Sequence, residues 1–167
     1  MADRLQLELG DYLPYLINRV GAALVNRFVE ERLSAAGLGI ADWRVLVVLS
    51  NRGAQRQVDV AEQTSIDVST LSRLIARMTR KGFVTRERAR HNHREVLVQL
   101  TAKGRAMMDR LIPHGRQLEA IAVEGLDNRD LDIVRRSLRQ MYGNLTRRPA
   151  GNTPQVSVSK RPARKGV

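Results

Sequence analysis

The sequence contains no cysteine among its 167 residues. Disulfides, zinc–cysteine sites, thiol nucleophiles and thiol redox sensors are therefore excluded. Long apolar runs are also missing, because the longest, Val45–Leu49, is far too short to cross a bilayer. The opening residues MADRLQLELGD carry charges and lack the apolar stretch of a signal peptide. We therefore expect a cytoplasmic protein that contacts no membrane.

Recognisable catalytic motifs are absent as well. The sequence has no HExxH, no GxxxxGK[ST], no GxSxG and no paired-carboxylate pattern. We therefore expect a protein that is not an enzyme and that carries no cofactor.

What the chain does contain is positive charge, +12 in total, placed unevenly. Residues 51–105 hold 12 basic and 5 acidic side chains, and residues 146–167 hold 6 basic and no acidic ones, whereas the other segments are close to neutral. A general solubility charge would be spread evenly. A basic block between neutral flanks is instead the electrostatic footprint of a polyanion, so we predict a nucleic-acid partner.

Apolar periodicity predicts a mainly α protein with a small β-wing. Helices are predicted over residues 11–36, 40–51, 58–64, 67–81, 101–125 and from 128 onward, with a β-hairpin over 83–100. Glycines at 37, 53 and 82 follow helix ends, and Asp67 and Thr101 are N-cap candidates. This order of elements predicts a winged helix-turn-helix lobe at 37–100, with the flanking helices forming a helical dimerisation region.

The stretch QVDVAEQTSIDVSTLSRLIA, residues 57–76, fits a helix-turn-helix. Ala61 is small enough for two helices to cross closely, and residues 64–66 can form the turn. The face opposite Val68, Leu71, Ile75 and Met78 is predicted to carry Ser69, Thr70, Arg73, Ala76, Arg77 and Arg80. Small hydroxyls followed by arginines suit a recognition helix whose N-terminal part enters the major groove, so Ser69, Thr70, Arg73 and Arg77 are predicted to bind DNA. The alternative is an ordinary amphipathic helix with a solvated face.

The hairpin tip contains three further candidates for DNA contact, Arg90, His91 and Arg94. A β-ribbon with arginine at its end can enter a narrow minor groove, where the potential is most negative. A solvated turn is one alternative. Metal binding by His91 and His93 is another, but only His114 remains as a third histidine, so no metal is expected.

The two ends of the chain carry apolar stripes that one small lobe cannot cover. In the last helix Leu131, Val134, Leu138, Met141 and Leu145 follow a 3,4 spacing, which is an a/d seam. We predict a homodimer held by residues 1–36 and 101–145, with 146–167 as a basic flexible tail. The alternative is that these helices pack only on their own subunit.

Three stretches together resemble the MarR (multiple-antibiotic-resistance) family of regulators over about residues 13–145. They are DWRVLVVL in the second helix, VDVAEQTSIDVSTLSRLIARMTRKGFVTRE through the recognition region, and REVLVQLTAKG after the wing. Arg94 matches a structural arginine of the family's wing. Asn92 stands where the family usually has Asp, and Ala89 stands at another commonly acidic position.

The resemblance implies dimers that interlock through the first, fifth and sixth helices and bind a pseudo-palindromic operator in double-stranded DNA. It also implies a ligand-releasable repressor whose small aromatic or acidic effector binds between the dimer helices and the lobe. Tyr15, Arg19, Trp43 and Arg44 are the ligand-binding candidates, since Trp43 can stack on a ring and arginines can hold a carboxylate. Core packing of Trp43 and an own-chain partner for Arg44 are the alternatives. A nucleoid-type, non-specific DNA-binding structural protein, favoured by the basic tail, is the alternative function.

Overall fold

A computed structural model describes residues 7–89 and 92–147. Helix α1, Leu13–Phe28, continues through a π-helical turn, Val29–Leu33, and a 3-10 turn, Ser34–Ala36. The other helices are α2 (Ile40–Arg52), α3 (Gln57–Thr64), α4 (Val68–Arg80), α5 (Ala102–Ala122) and α6 (Asn128–Thr146). The strands are β1 (Gln55–Arg56), β2 (Val84–Ala89) and β3 (Asn92–Leu100). The predicted helices and hairpin are all present, so the mainly α fold with a small β-wing is confirmed.

The wing belongs to a three-stranded antiparallel sheet in the order β1-β3-β2. Val84 lies opposite Leu100, and the register shifts at Arg88 and Ala89, near the hairpin tip. Strand β1 was not predicted. Its two residues are polar and show no alternation, and Gln55 becomes a strand residue only because Val98 lies opposite it.

The core of the lobe lies where α2, α4 and the sheet meet. Helix α2 contributes Val45, Leu46 and Leu49 to this core, and all three are buried. Ala61 is also buried and α3 packs on α4, as the helix-turn-helix pattern requires. This packing fixes the position of α4, the predicted recognition helix.

Three helix starts are fixed by the side chains of their N-cap residues. Asp67 accepts a hydrogen bond from the Thr70 amide at 2.8 Å, at the start of α4. Thr101 accepts one from the Gly104 amide at 3.0 Å at the start of α5, and Asp127 begins α6 in the same way. Each cap pairs a backbone N–H that has no partner inside its helix, so the helix starts follow from local sequence.

Gly104, in the first turn of α5, lies against the backbone of Phe83, which precedes β2. A Cβ atom at this position would lie 2.1 Å from the carbonyl oxygen of Phe83 and 3.3 Å from the side chain of Leu100. Phe83 cannot easily move, because its carbonyl also accepts a hydrogen bond from the Thr101 amide at 3.0 Å. Glycine in the LTAKG stretch is therefore required by packing.

We expect Gly104→Ala to lower the free energy of unfolding by about 1–3 kcal/mol or more, because the added methyl overpacks a rigid backbone contact. Chemical denaturation measures the change. Gly143→Ala in α6 is the matched control, since a Cβ there meets nothing within 4 Å. Helix propensity then predicts stabilisation of about 0.5–1 kcal/mol. A neutral Gly104→Ala would contradict the packing argument.

The chain divides into two compact units between Glu124 and Gly125. Helix α5 therefore belongs to the unit that contains the winged lobe, and α6 is described by itself. No single helix within residues 7–89 and 92–147 is long and apolar enough to cross a membrane. The pair Leu13–Ala36 and Ile40–Arg52, bent by 79°, reaches that length and composition only when taken together.

Candidate nucleic-acid interface and effector cleft

The start of α4 is organised around the carboxylate of Asp67. Its Oδ1 accepts the Ser69 hydroxyl at 2.6 Å as well as the Thr70 amide. Hydrogen bonds from Ser69 and Thr70 hold the pKa of Asp67 far below its usual range. A lowered pKa in the folded state means that the cap stabilises the fold above the ordinary carboxyl pKa and loses this effect as pH falls through the lower value.

The contact with Asp67 limits which further hydrogen bonds the Ser69 hydroxyl can make. Its only proton is donated to Asp67, so the hydroxyl can accept a hydrogen bond but cannot donate one to a phosphate without breaking that contact. The amino groups of adenine and cytosine in the major groove are donors that fit it. The capping contact therefore favours base-edge contact over backbone contact at Ser69.

Arg73 lies one turn further along α4 and is exposed. Its Nη2 donates to the Thr70 hydroxyl at 3.2 Å, which orients the guanidinium while leaving other N–H donors available. Ser69, Thr70 and Arg73 thus form a contiguous polar surface over the first two turns of α4. This arrangement has the donors and acceptors that reading base edges requires.

Arg77 has a different environment. Its Nη2 lies 2.7 and 2.8 Å from the two carboxylate oxygens of Asp42 on α2. Asp42 is only 1% exposed, whereas the Arg77 side chain is 47% exposed. A DNA contact by Arg77 stays a prediction, but the ion pair links α4 to α2, and no sequence pattern indicated it.

Val68 does not lie on the buried face of α4, so its assignment beside Leu71, Ile75 and Met78 is wrong. Its side chain is 49% exposed, while the other three are buried. As the first residue of the helix, Val68 has no preceding turn of α4 beside it, and the 3.6-residue period does not predict burial at a helix end.

The wing adds a contact that the sequence did not indicate. Arg86 on β2 donates to the carbonyl of Ser72 at 3.2 Å, which ties the wing to α4. Arg90 and His91 lie outside the described residues. The backbone of Arg94 lies in β3, but its side chain is not among those described. The three wing-tip contacts therefore stay predictions.

A cleft of about 530 Å³ opens between α2 and the helix-turn-helix turn. Its lining residues are Trp43, Arg44, Val47, Val48, Gln63, Thr64 and Ser65. The Trp43 ring meets Phe28 edge-on at 5.0 Å, and Gly115 on α5 leaves room for it. Trp43 is therefore both a packing residue and a cleft wall.

Arg44 is the one charged residue among the described residues that line the cleft, and it is exposed. An aromatic face beside a guanidinium suits a ring that carries a carboxylate. Tyr15 and Arg19 lie on α1, are exposed, and do not line this cleft. The structure thus brings together two of the four predicted ligand-binding residues within one chain.

Known proteins resemble this chain in sequence and in fold. The sequence pattern that defines the MarR family matches residues 36–95. The HTH-type transcriptional regulator YfiV of Bacillus subtilis is 31% identical over 108 residues, which are 55% of this chain and 68% of that protein. The chain belongs to the MarR family.

Solved structures agree with this assignment. A MarR-family transcriptional regulator from Silicibacter pomeroyi is 28% identical, with a TM-score of 0.75 over 87% of this chain and 99% of that chain. BpsR of Bordetella bronchiseptica, whose DNA binding is regulated by 6-hydroxynicotinic acid, is 26% identical, with a TM-score of 0.74 over 83% and 98%. The MarR-family chain is therefore a DNA-binding transcriptional regulator and not an enzyme.

Sequence reasoning on this MarR-family chain missed contacts made by cations of the basic block. Besides the Arg77–Asp42 pair, the Lys81 ammonium donates to the Gly37 carbonyl, and Lys103 donates to the Lys81 carbonyl at 2.8 Å. No local pattern points to partners 22 to 44 residues away. Across residues 7–89 and 92–147, no cluster of three metal-ligating side chains is found.

Proposed function

We propose that this MarR-family regulator is a homodimeric repressor that binds a pseudo-palindromic operator and is released by a small aromatic acid. The observation that carries the proposal is the surface of Ser69, Thr70 and Arg73 on a helix fixed by the core. Two such surfaces related by two-fold symmetry fit half-sites about one helical turn apart.

Dimerisation is supported by apolar side chains that each helix leaves exposed. On α1 these are Leu13, Leu16, Ile17 and Val20, and on α6 they are Ile133, Val134, Leu138 and Leu145. Contiguous exposed apolar surface on this scale marks an interaction site. A second copy is the occupant proposed here, because the a/d seam of α6 suits packing against another helix.

Repression is the mode of regulation that we infer for such a dimer. A dimer that occupies two successive major grooves covers about two turns of duplex, and bound protein at a promoter blocks access of polymerase to the same DNA. The direct experiment is a footprint on the DNA that flanks this protein's own gene, followed by a reporter for that promoter. Protection of a two-fold symmetric site and a rise in expression after gene deletion are expected, whereas a fall would indicate an activator.

Arg73→Ala is expected to weaken operator binding by about 1–3 kcal/mol, roughly 5- to 150-fold, because a bidentate contact to guanine is lost. Affinity for random DNA should change much less. Titration of fluorescent duplexes at fixed salt measures both values. Arg80→Ala removes the same charge two turns further from the helix start and is the matched control. If Arg73→Ala loses operator and random DNA equally, Arg73 contacts only phosphate.

Effector release is supported by the cleft beside Trp43 and Arg44. Its volume lies within the range of small-molecule sites, and it adjoins Thr64 and Ser65, which lead into α4. The regulation of BpsR by 6-hydroxynicotinic acid provides an aromatic carboxylate as a first compound to test.

A further inference from the structure

Two cations at the C-terminal end of α4 hold the segment that leads from the end of the 3-10 turn into the first turn of α2. We call this segment, Gly37–Asp42, the linker. Lys81 donates to the carbonyl of Gly37 at its beginning, and Arg77 binds the carboxylate of Asp42 at its end. Because the two cations lie four residues apart, they face the linker from the same side of the helix.

Both carboxylate oxygens of Asp42 are hydrogen-bonded within this arrangement. Its Oδ2 accepts the Gly39 amide at 2.8 Å as well as Arg77, so the same carboxylate caps α2 and anchors α4. With Asp42 almost fully buried, the guanidinium is its only cationic partner in the described part of the chain. A move of Arg77 onto a phosphate would leave a buried carboxylate unpaired, which is strongly unfavourable.

From these contacts we infer that Arg77 and Lys81 set the angle of the recognition helix against the linker, and that Asp42 determines operator affinity without touching DNA. The inference rests on the proposed operator binding and deepens it. Asp42, Arg77 and Lys81 are positioning residues. Both recognition helices of a dimer must meet successive major grooves, so a small rotation of α4 on the linker lowers affinity for the operator far more than for random DNA.

The direction in which one substitution changes the affinity for DNA distinguishes a positioning role from direct contact. Asp42→Asn removes a negative charge, and electrostatics alone predicts stronger DNA binding. Positioning predicts the opposite, a loss of operator affinity of roughly 3- to 30-fold with random-DNA affinity unchanged or raised. Asn keeps an oxygen for the Gly39 amide, so the cap of α2 survives and only the ion pair is lost.

The experiment compares Asp42→Asn, Arg77→Gln and the double variant for affinity to operator and to random duplex over a range of salt concentrations. The double variant should lose no more operator affinity than Arg77→Gln alone, because both changes break one pair. The slope of affinity against salt should stay constant. Additive losses, or a slope reduced by about one in Arg77→Gln, would show that Arg77 binds phosphate and would overturn the inference.

A second pair of variants covers the case in which Asp42→Asn fails to fold, as judged by thermal melting. Lys81→Gln and Arg80→Gln remove adjacent cations, and of these two side chains the structure shows Lys81 in contact with the linker. Lys81→Gln should lower the ratio of operator to random affinity, and Arg80→Gln should not. Equal behaviour would overturn the inference. Parent protein without any operator preference would overturn the proposed function as well, so the two failures are distinguishable.

Discussion

Replacing Leu138 with Asp is expected to convert the proposed dimer to a monomer and to abolish operator binding. Leu138 lies in the middle of the α6 seam, and 43% of its side chain is exposed in the isolated chain. In the proposed dimer that surface is covered. A carboxylate there is unpaired, and an uncompensated buried charge costs several kcal/mol, which disfavours association.

Gln140→Asp is the matched control, because it adds the same charge at an exposed position outside the seam. It should remain a dimer with parental operator affinity. Light scattering after size-exclusion chromatography at low micromolar concentration measures the mass of both variants. A Leu138→Asp protein that stays dimeric and binds operator would show that the α6 seam is not the dimer interface.

Helix boundaries could be predicted from the sequence because they depend on local chemistry. Asp67, Thr101 and Asp127 each cap the helix that follows, and Gly37 and Gly82 adopt positive φ where helices end. None of these features needs information from elsewhere in the chain. The recognition helix was therefore located with the correct cap.

Tertiary contacts could not be predicted in this way. Asp42 and Arg77 are 35 residues apart, and before folding they are one acid and one arginine among many. Arg77 is predicted to bind DNA together with Arg73 because, in the sequence, cations on one helix face look equivalent. The structure distinguishes them by partner: Arg73 donates to a neighbouring hydroxyl, whereas Arg77 is paired with a buried carboxylate.

The effector site was only partly predictable for the same reason. Trp43 and Arg44 are adjacent in sequence and both line the cleft, but Thr64 and Ser65 join them only through the packing of α3 on α2. Residue type alone selected Tyr15 and Arg19, an aromatic and a cation at helical spacing on α1. Within one chain, neither Tyr15 nor Arg19 lines the cleft.

An aromatic carboxylate that binds the cleft should weaken operator binding by roughly 5- to 150-fold, which corresponds to about 1–3 kcal/mol of coupling. The ligand has this effect only if it prefers the form that cannot bind DNA. A ligand in the cleft could have such a preference because the cleft walls adjoin the residues that position α4. One wall is formed by Trp43, Arg44, Val47 and Val48 of α2, which follow Asp42 and its ion pair with Arg77 of the recognition helix. The other wall is formed by Gln63, Thr64 and Ser65, which precede α4. We expect a ring wedged between the two walls to alter the setting of α4.

Trp43 is the only tryptophan in the chain, so its fluorescence reports directly on this wall. The experiment titrates 6-hydroxynicotinate, related aromatic acids and their thioesters, and follows Trp43 emission and operator release in parallel. Arg44→Gln should bind and respond at least about tenfold more weakly, because the charge-assisted bond to the carboxylate is lost. Arg19→Gln removes a cation of α1 that does not line the cleft and should respond like the parent. If acids release DNA without changing Trp43 emission, and if Arg19→Gln rather than Arg44→Gln loses the response, the effector binds against α1 and not in this cleft.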